Sequence, residues 1–189
     1  MSGSTALADD TVKHEGDHPE YHVELEPHGV FGPYHRLASD IGFGAGLRAT
    51  IPIVQNGFIP SLNNNVGISF GLDFMHYSGT CGYFAGRGAF VNYNCDGNEL
   101  MFPVTLQWNF FVARNWSVGG EPGIYIYHWF FDNYCTANNV PGYYCNDYPS
   151  ATSVDAAFFL VGRYHFSEKA SLTMRVGYPY ISVGASFFL

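Results

Sequence analysis

Lysine is nearly missing from this chain. Among 189 residues, Lys and Arg together number eight against sixteen Asp and Glu, and charged residues make up 13%, about half the usual quarter. The two lysines, Lys13 and Lys169, fall outside every alternating segment, whereas a water-facing sheet normally coats its wet face and edges with Lys and Glu. The formal charge of −8 leaves out the basic patch that a nucleic-acid binder needs. No run of eighteen apolar residues occurs, which excludes a transmembrane helix but not a membrane barrel, whose signal is weak alternation repeated many times. A basic n-region and an apolar h-region are also absent, although Ala6-Leu7-Ala8 before Asp9 has the small-x-small form of a cleavage site. Half of the acids lie in the first forty residues. Residues 1–19 therefore read as an acidic, histidine-containing, flexible tail ahead of one domain over 20–189.

What is present is a period of two. In Ile41 to Val54, IGFGAGLRATIPIV, the apolar set Ile41, Phe43, Ala45, Leu47, Ala49, Ile51 and Ile53 alternates with Gly42, Gly44, Gly46, Arg48, Thr50 and Pro52, the mark of a β-strand with two unlike faces. The same pattern restarts at Val66, Leu100, Trp116, Val154, Leu172 and Ile181. These make seven strands. The weaker stretch Tyr21–Val30 supplies an eighth, as closed single-chain bacterial barrels have an even count. Short connections at Ala113-Arg114-Asn115 and Ser167-Glu168-Lys169 alternate with long ones over 79–98 and 131–151, and Pro179-Tyr180 reads as a two-residue hairpin. Tight turns at one end and long loops at the other describe an up-and-down meander.

Alternation alone leaves open which face is outside. An eight-stranded barrel has an interior that side chains just fill, so it cannot hold bulky apolar residues from every strand. With the apolar faces outward, the interior instead receives small and polar residues together with Arg48, Asp73, Glu121, Asp155, Arg163 and Arg175. Three acids and three arginines can neutralise one another, as buried charges must. Arg48 is then expected inside, paired with Asp73, Glu121 or Asp155, with Gly42, Gly44 and Gly46 making room for neighbouring side chains. Trp108, Phe110, Trp116 and Phe166 at one end, and Phe74, Tyr77, Tyr127 and Trp129 at the other, suit interfacial girdles. Pro52, Pro103 and Pro122 lack ladder donors, so bulges or strand ends are expected there.

These strands, together with the closing segment Ile181–Leu189, ISVGASFFL, resemble the small eight-stranded bacterial outer-membrane barrels of the OmpA/OmpX type. The resemblance covers about residues 20–189 and implies an all-β, antiparallel, up-and-down transmembrane barrel, monomeric and partnered by the lipid bilayer. The final segment looks like that family's assembly signal, with the departure that Leu189 follows Phe188 where an aromatic residue usually ends the chain. Some barrels of this size act enzymatically on lipid A, and His76, Ser78 and His128 lie near the expected rim. However, His76 and His128 share the lipid-facing parity, and no nucleophile motif stands out, so no catalytic residue is assigned. No cofactor is implied. A narrow channel through the lumen and a soluble lipocalin-like barrel are the other readings.

Two residue groups remain. Cys81, Cys95, Cys135 and Cys145 fall as two local pairs inside the long loops, and an even count without C-x-x-C spacing reads as disulfides in an oxidising compartment. Each closes a loop of at most about fifteen residues, worth roughly 3 kcal/mol in the chain-entropy picture. Pinned loops rich in Tyr, Phe, Asn and Gly suit a contact surface for an extracellular protein or glycan. His14, His18 and His22 recur every four residues, a spacing that would suit a metal on a helix, although the tail's composition favours solvated histidines.

Overall fold

The computed structural model describes residues 18–33, 41–78, 80–84, 90–94, 96–132 and 150–189. Among these residues ten strands form in chain order: β1 (Glu24–Pro33), β2 (Ile41–Val54), β3 (Asn64–Tyr77), β4 (Thr80–Phe84), β5 (Phe90–Asn94), β6 (Asp96–Ala113), β7 (Trp116–Asp132), β8 (Ala151–Ser167), β9 (Ala170–Tyr178) and β10 (Ile181–Phe188). Eight of them close into a barrel in the order β1-β10-β9-β8-β7-β6-β3-β2, with every neighbour antiparallel. The expected meander is therefore present, and β1 pairs with both β2 and β10. The hairpin β4–β5 stands apart as its own two-stranded sheet and was not anticipated, because glycine and asparagine break up its alternation.

Parity sets the faces. Phe43, Leu47 and Ile51 on β2, Ile68, Phe70 and Leu72 on β3, and Leu172, Met174 and Val176 on β9 are all exposed, while Arg48, Thr50, Ser69, Asp73, Thr173 and Arg175 are buried. Thirty large apolar side chains among the described residues are exposed. That is an inverted protein, with its apolar surface outside and its polar side chains within. Gly42 leaves the space that the Tyr77 ring fills, and a Cβ at Gly46 would meet Asp73 and His28.

Some local expectations change. The turns are tighter than the three residues expected, since Ala113 pairs with Trp116 and Ser167 with Ala170, each beside a register shift. The β9–β10 ladder instead begins at Val176 opposite Ile181, so the turn takes in Gly177 to Tyr180. Pro179 has no N–H to give the ladder, and Tyr180 turns into the lumen with 1% exposure. Pro52 borders a register shift, as expected. Pro103 and Pro122 lie mid-strand without a bulge. The β3–β6 ladder stops at Phe70–Val104 and resumes at Asp73–Met101, and β6–β7 skips from Thr105–Gly123 to Trp108–Gly120, in the same register on both sides. Pro27 opens the same kind of gap between β1 and β10. A closed ladder tolerates a missing donor as a two-residue gap because the pairs on both sides hold the register.

Glycine packing gives a test. Gly46→Ala should destabilise the barrel by about 1–3 kcal/mol, the usual penalty for forcing atoms into a filled interior. Gly162→Ala, where nothing lies within 4 Å, should stay within about 0.5 kcal/mol of the parent. Urea unfolding midpoints in detergent, read from heat-modifiable mobility on SDS gels, measure both.

Candidate functional site

The lumen is organised around one carboxylate. Glu121 on β7 accepts from Arg48 Nη1 at 2.9 Å and from Arg175 Nε at 2.9 and 3.1 Å, and Arg163 Nη2 lies 3.9 Å away. Three strands, β2, β8 and β9, thus send a guanidinium to the same group. Arg175 continues to Glu26, whose other oxygen accepts from Ser186 at 2.9 Å. Arg163 makes an ion pair with Glu24 at 3.2 Å, without hydrogen-bond alignment, and donates to Asn109. Arg48 donates to the Tyr180 hydroxyl at 2.8 Å, and that hydroxyl donates in turn to Asp73. His28 faces Asp73 Oδ1 at 2.9 Å with Nε2 and the Glu26 carbonyl at 3.1 Å with Nδ1. Both ring nitrogens therefore meet acceptors. All these side chains are at most 6% exposed, and the low local dielectric makes each pairing obligatory.

Of the six charges expected inside, Arg48, Asp73, Glu121, Arg163 and Arg175 lie in this network. Asp155 does not. It shares the lumen parity but sits on β8 above the point where β9 ends, exposed, where it accepts from the Tyr178 hydroxyl at 3.1 Å and from the Ala156 amide at 2.8 Å. Parity gives the face of a residue but not its height. Glu24, Glu26 and His28 were not singled out, although their even spacing along β1 carried the signal. Tyr180 had none, because its direction comes from the turn.

Toward the long-loop end the lumen turns aromatic. Tyr77, Tyr127 and Trp129, expected as girdle residues, are 3%, 3% and 4% exposed and pack together, the Tyr77 and Trp129 rings tilted and the Tyr127 and Trp129 rings edge to face, each pair with 5.8 Å between centroids. They occupy inward positions on β3 and β7, so they fill the chamber rather than ring the membrane. Glu99 accepts the Tyr77 hydroxyl there at 2.9 Å. Phe74, Trp116 and Phe166 do face outward at 46%, 52% and 67%.

Two of the three regularly spaced histidines, His18 and His22, lie among the described residues. Residues 18–23 are not helical; His18 is buried at the tight-turn end, against Asn63 at 2.5 Å and stacked on Phe111, whereas His22 is exposed. His14 lies outside the described residues, among which no cluster of three His, Cys, Asp or Glu could hold a metal. Cys95, Cys135 and Cys145 also lie outside them, and only the backbone of Cys81, in β4, is described. His76 and His128 sit half-exposed near the rim, bonded to Asn98 at 2.8 Å and Thr152 at 2.7 Å. Ser78 is exposed.

An outward apolar belt and a closed ladder with no free edge at belt height suit hydrocarbon, where every backbone group must be satisfied within the protein. The architecture is that of a small bacterial outer-membrane β-barrel. No protein-family model matches the chain, and no curated protein matches it. Among solved structures, the chain is similar to Ail, the attachment invasion locus protein of Yersinia pestis. The crystal structure with the heparin analogue sucrose octasulfate shows 12% identity over 88% of this chain and 96% of that one, with a TM-score of 0.48. The structure of Ail in a phospholipid bilayer nanodisc shows 13% identity over 90% and 100%, with a TM-score of 0.41. The membrane assignment rests on this chain's own ladder and faces.

Removing the hub should be severe. Glu121→Ala leaves three buried guanidiniums facing one another and should cost about 3–5 kcal/mol of stability, while adding Arg48→Met to it should restore part of that loss. Urea unfolding of both variants in detergent measures the difference.

Proposed function

We propose that the protein is a surface-binding, adhesion-type module that presents one raised side of the barrel to an extracellular protein or glycan. The observation that carries this is the unequal wall. Strands β6, β7 and β8 run for 18, 17 and 17 residues, whereas β9, β10 and β1 have 9, 8 and 10. The β8–β9 ladder starts only at Phe158, so the β9-facing edge of residues 151–157 has no strand partner among the described residues. An unpaired strand edge is a ready template for an incoming chain. The connections between β3 and β6 and between β7 and β8 leave the barrel at this same end, and disulfides Cys81–Cys95 and Cys135–Cys145 would each hold one of them in one shape. Ail has been crystallised with a heparin analogue, so a sulfated glycan is one probe to use.

The alternatives fit less well. The described part of the lumen is filled by paired charges and aromatic rings, which speaks against a conducting path. His165 Nε2 pairs with Ser117 Oγ at 2.9 Å, but Ser117 is 1% exposed and no carboxylate among the described residues bonds the other ring nitrogen, so the pair lacks the orientation that acyl transfer needs.

Replacing residues 79–95 and 133–149 by short turns should lower binding to host-protein-coated and sulfated-glycan-coated surfaces at least about tenfold, the scale of losing a few buried contacts. Unchanged binding would discard the proposal. Planar bilayers should show no stable conductance steps, and thiol alkylation should add mass only after reduction.

A further inference from the structure

At the tight-turn end the lumen opens into a cleft of about 760 Å³. The strap of residues 18–23 crosses beside it, tied down where the His22 amide donates to the Leu189 carbonyl at 2.7 Å and the Leu189 amide to the Val23 carbonyl at 2.8 Å. His18 and Asn63 line the cleft, 6% and 3% exposed. The Asn63 carbonyl oxygen can only accept, so the 2.5 Å contact puts the proton on His18 Nδ1, and a neutral ring then offers a lone pair at Nε2. That atom and Asn63 Nδ2 are both buried with no hydrogen-bond partner among the described residues. Unpartnered buried polar atoms are rare in a finished fold. His18 and Asn63 both line the same space, and with a neutral ring they bring one acceptor and one donor to its floor, the pair that an amide group requires.

The rest of the lining adds charge and apolar surface. Arg114, on the exposed two-residue turn after β6, has no ion pair among the described residues and lines the rim. Phe111, stacked on His18 with 4.7 Å between centroids, supplies the apolar wall, and the outward-facing Phe166 only borders the rim. Glu168 on the same rim opposes a second negative charge.

We propose that this cleft binds the C-terminal end of a peptide. Its carboxylate would lie on Arg114, its last amide would donate to His18 Nε2 and accept from Asn63 Nδ2, and an apolar last side chain would rest against Phe111. The site faces the side opposite the raised wall, so it is independent of the proposed surface binding.

The test is calorimetric titration of the full chain, folded in detergent, with N-acetyl-Ala-Ala-Phe as free acid and as its C-terminal amide. The acid should bind at least about tenfold more tightly than the amide, the difference one charge-assisted contact makes. Arg114→Ala, on an exposed turn that leaves the barrel intact, should bring the acid down to the level of the amide. Asn63→Asp, which keeps the acceptor toward His18 but removes the donor, should weaken both peptides several-fold. Heat-modifiable mobility on SDS gels verifies that each variant is folded. No binding of the acid up to millimolar concentration, equal affinity for acid and amide, or an Arg114→Ala variant that binds the acid as the parent does would each overturn the proposal and leave a hydrated cleft only.

Discussion

The Glu121 carboxylate is the group on which the interior depends. A barrel of eight strands has room for side chains and little else, and its lipid-facing exterior cannot take charge. Each arginine of the lumen must then find its counter-ion across the bore. Glu121 receives Arg48 and Arg175 directly and has Arg163 nearby, and the network spreads from these through Glu24, Glu26, Asp73, His28 and Tyr180. Such a set holds only complete, because a charge deprived of its partner stays buried and uncompensated.

That closed interior permits irregularity in the wall. Prolines at positions 27, 103 and 122 each interrupt a ladder for two residues without shifting it. Register survives because a slip of one residue would turn arginines toward lipid and leucines into the lumen, a penalty far larger than a missing hydrogen bond. The wall is also free to vary in height. On β6 to β8 it stands above the ends of β9, β10 and β1, and the aromatic chamber of Tyr77, Tyr127 and Trp129 lies toward the same end.

Much of this was legible from parity. The face of Arg48, Asp73, Glu121, Arg163 and Arg175, the outward run of Phe43, Leu47 and Ile51, and the space left by Gly42 and Gly46 all follow from a period of two read along single strands. Three kinds of feature were not legible. Asp155 has lumen parity but stands above the bore, since height depends on where the neighbouring strand stops. Tyr180 enters the network from a turn, where period-two logic does not apply. The chamber aromatics looked like girdle residues, because a ring near a strand end suits either side of the wall until the shear of the barrel is known.

The amino-acid sequence by itself determined seven strands of the barrel wall and most of the division of residues between lipid and lumen, because alternation is a local property that each strand carries alone. Only the tertiary structure decided which charges meet, how high each strand stands and what the two ends of the lumen offer. Those depend on the stagger between strands, which arises when the sheet closes on itself and every inward side chain must fit against residues from all the others.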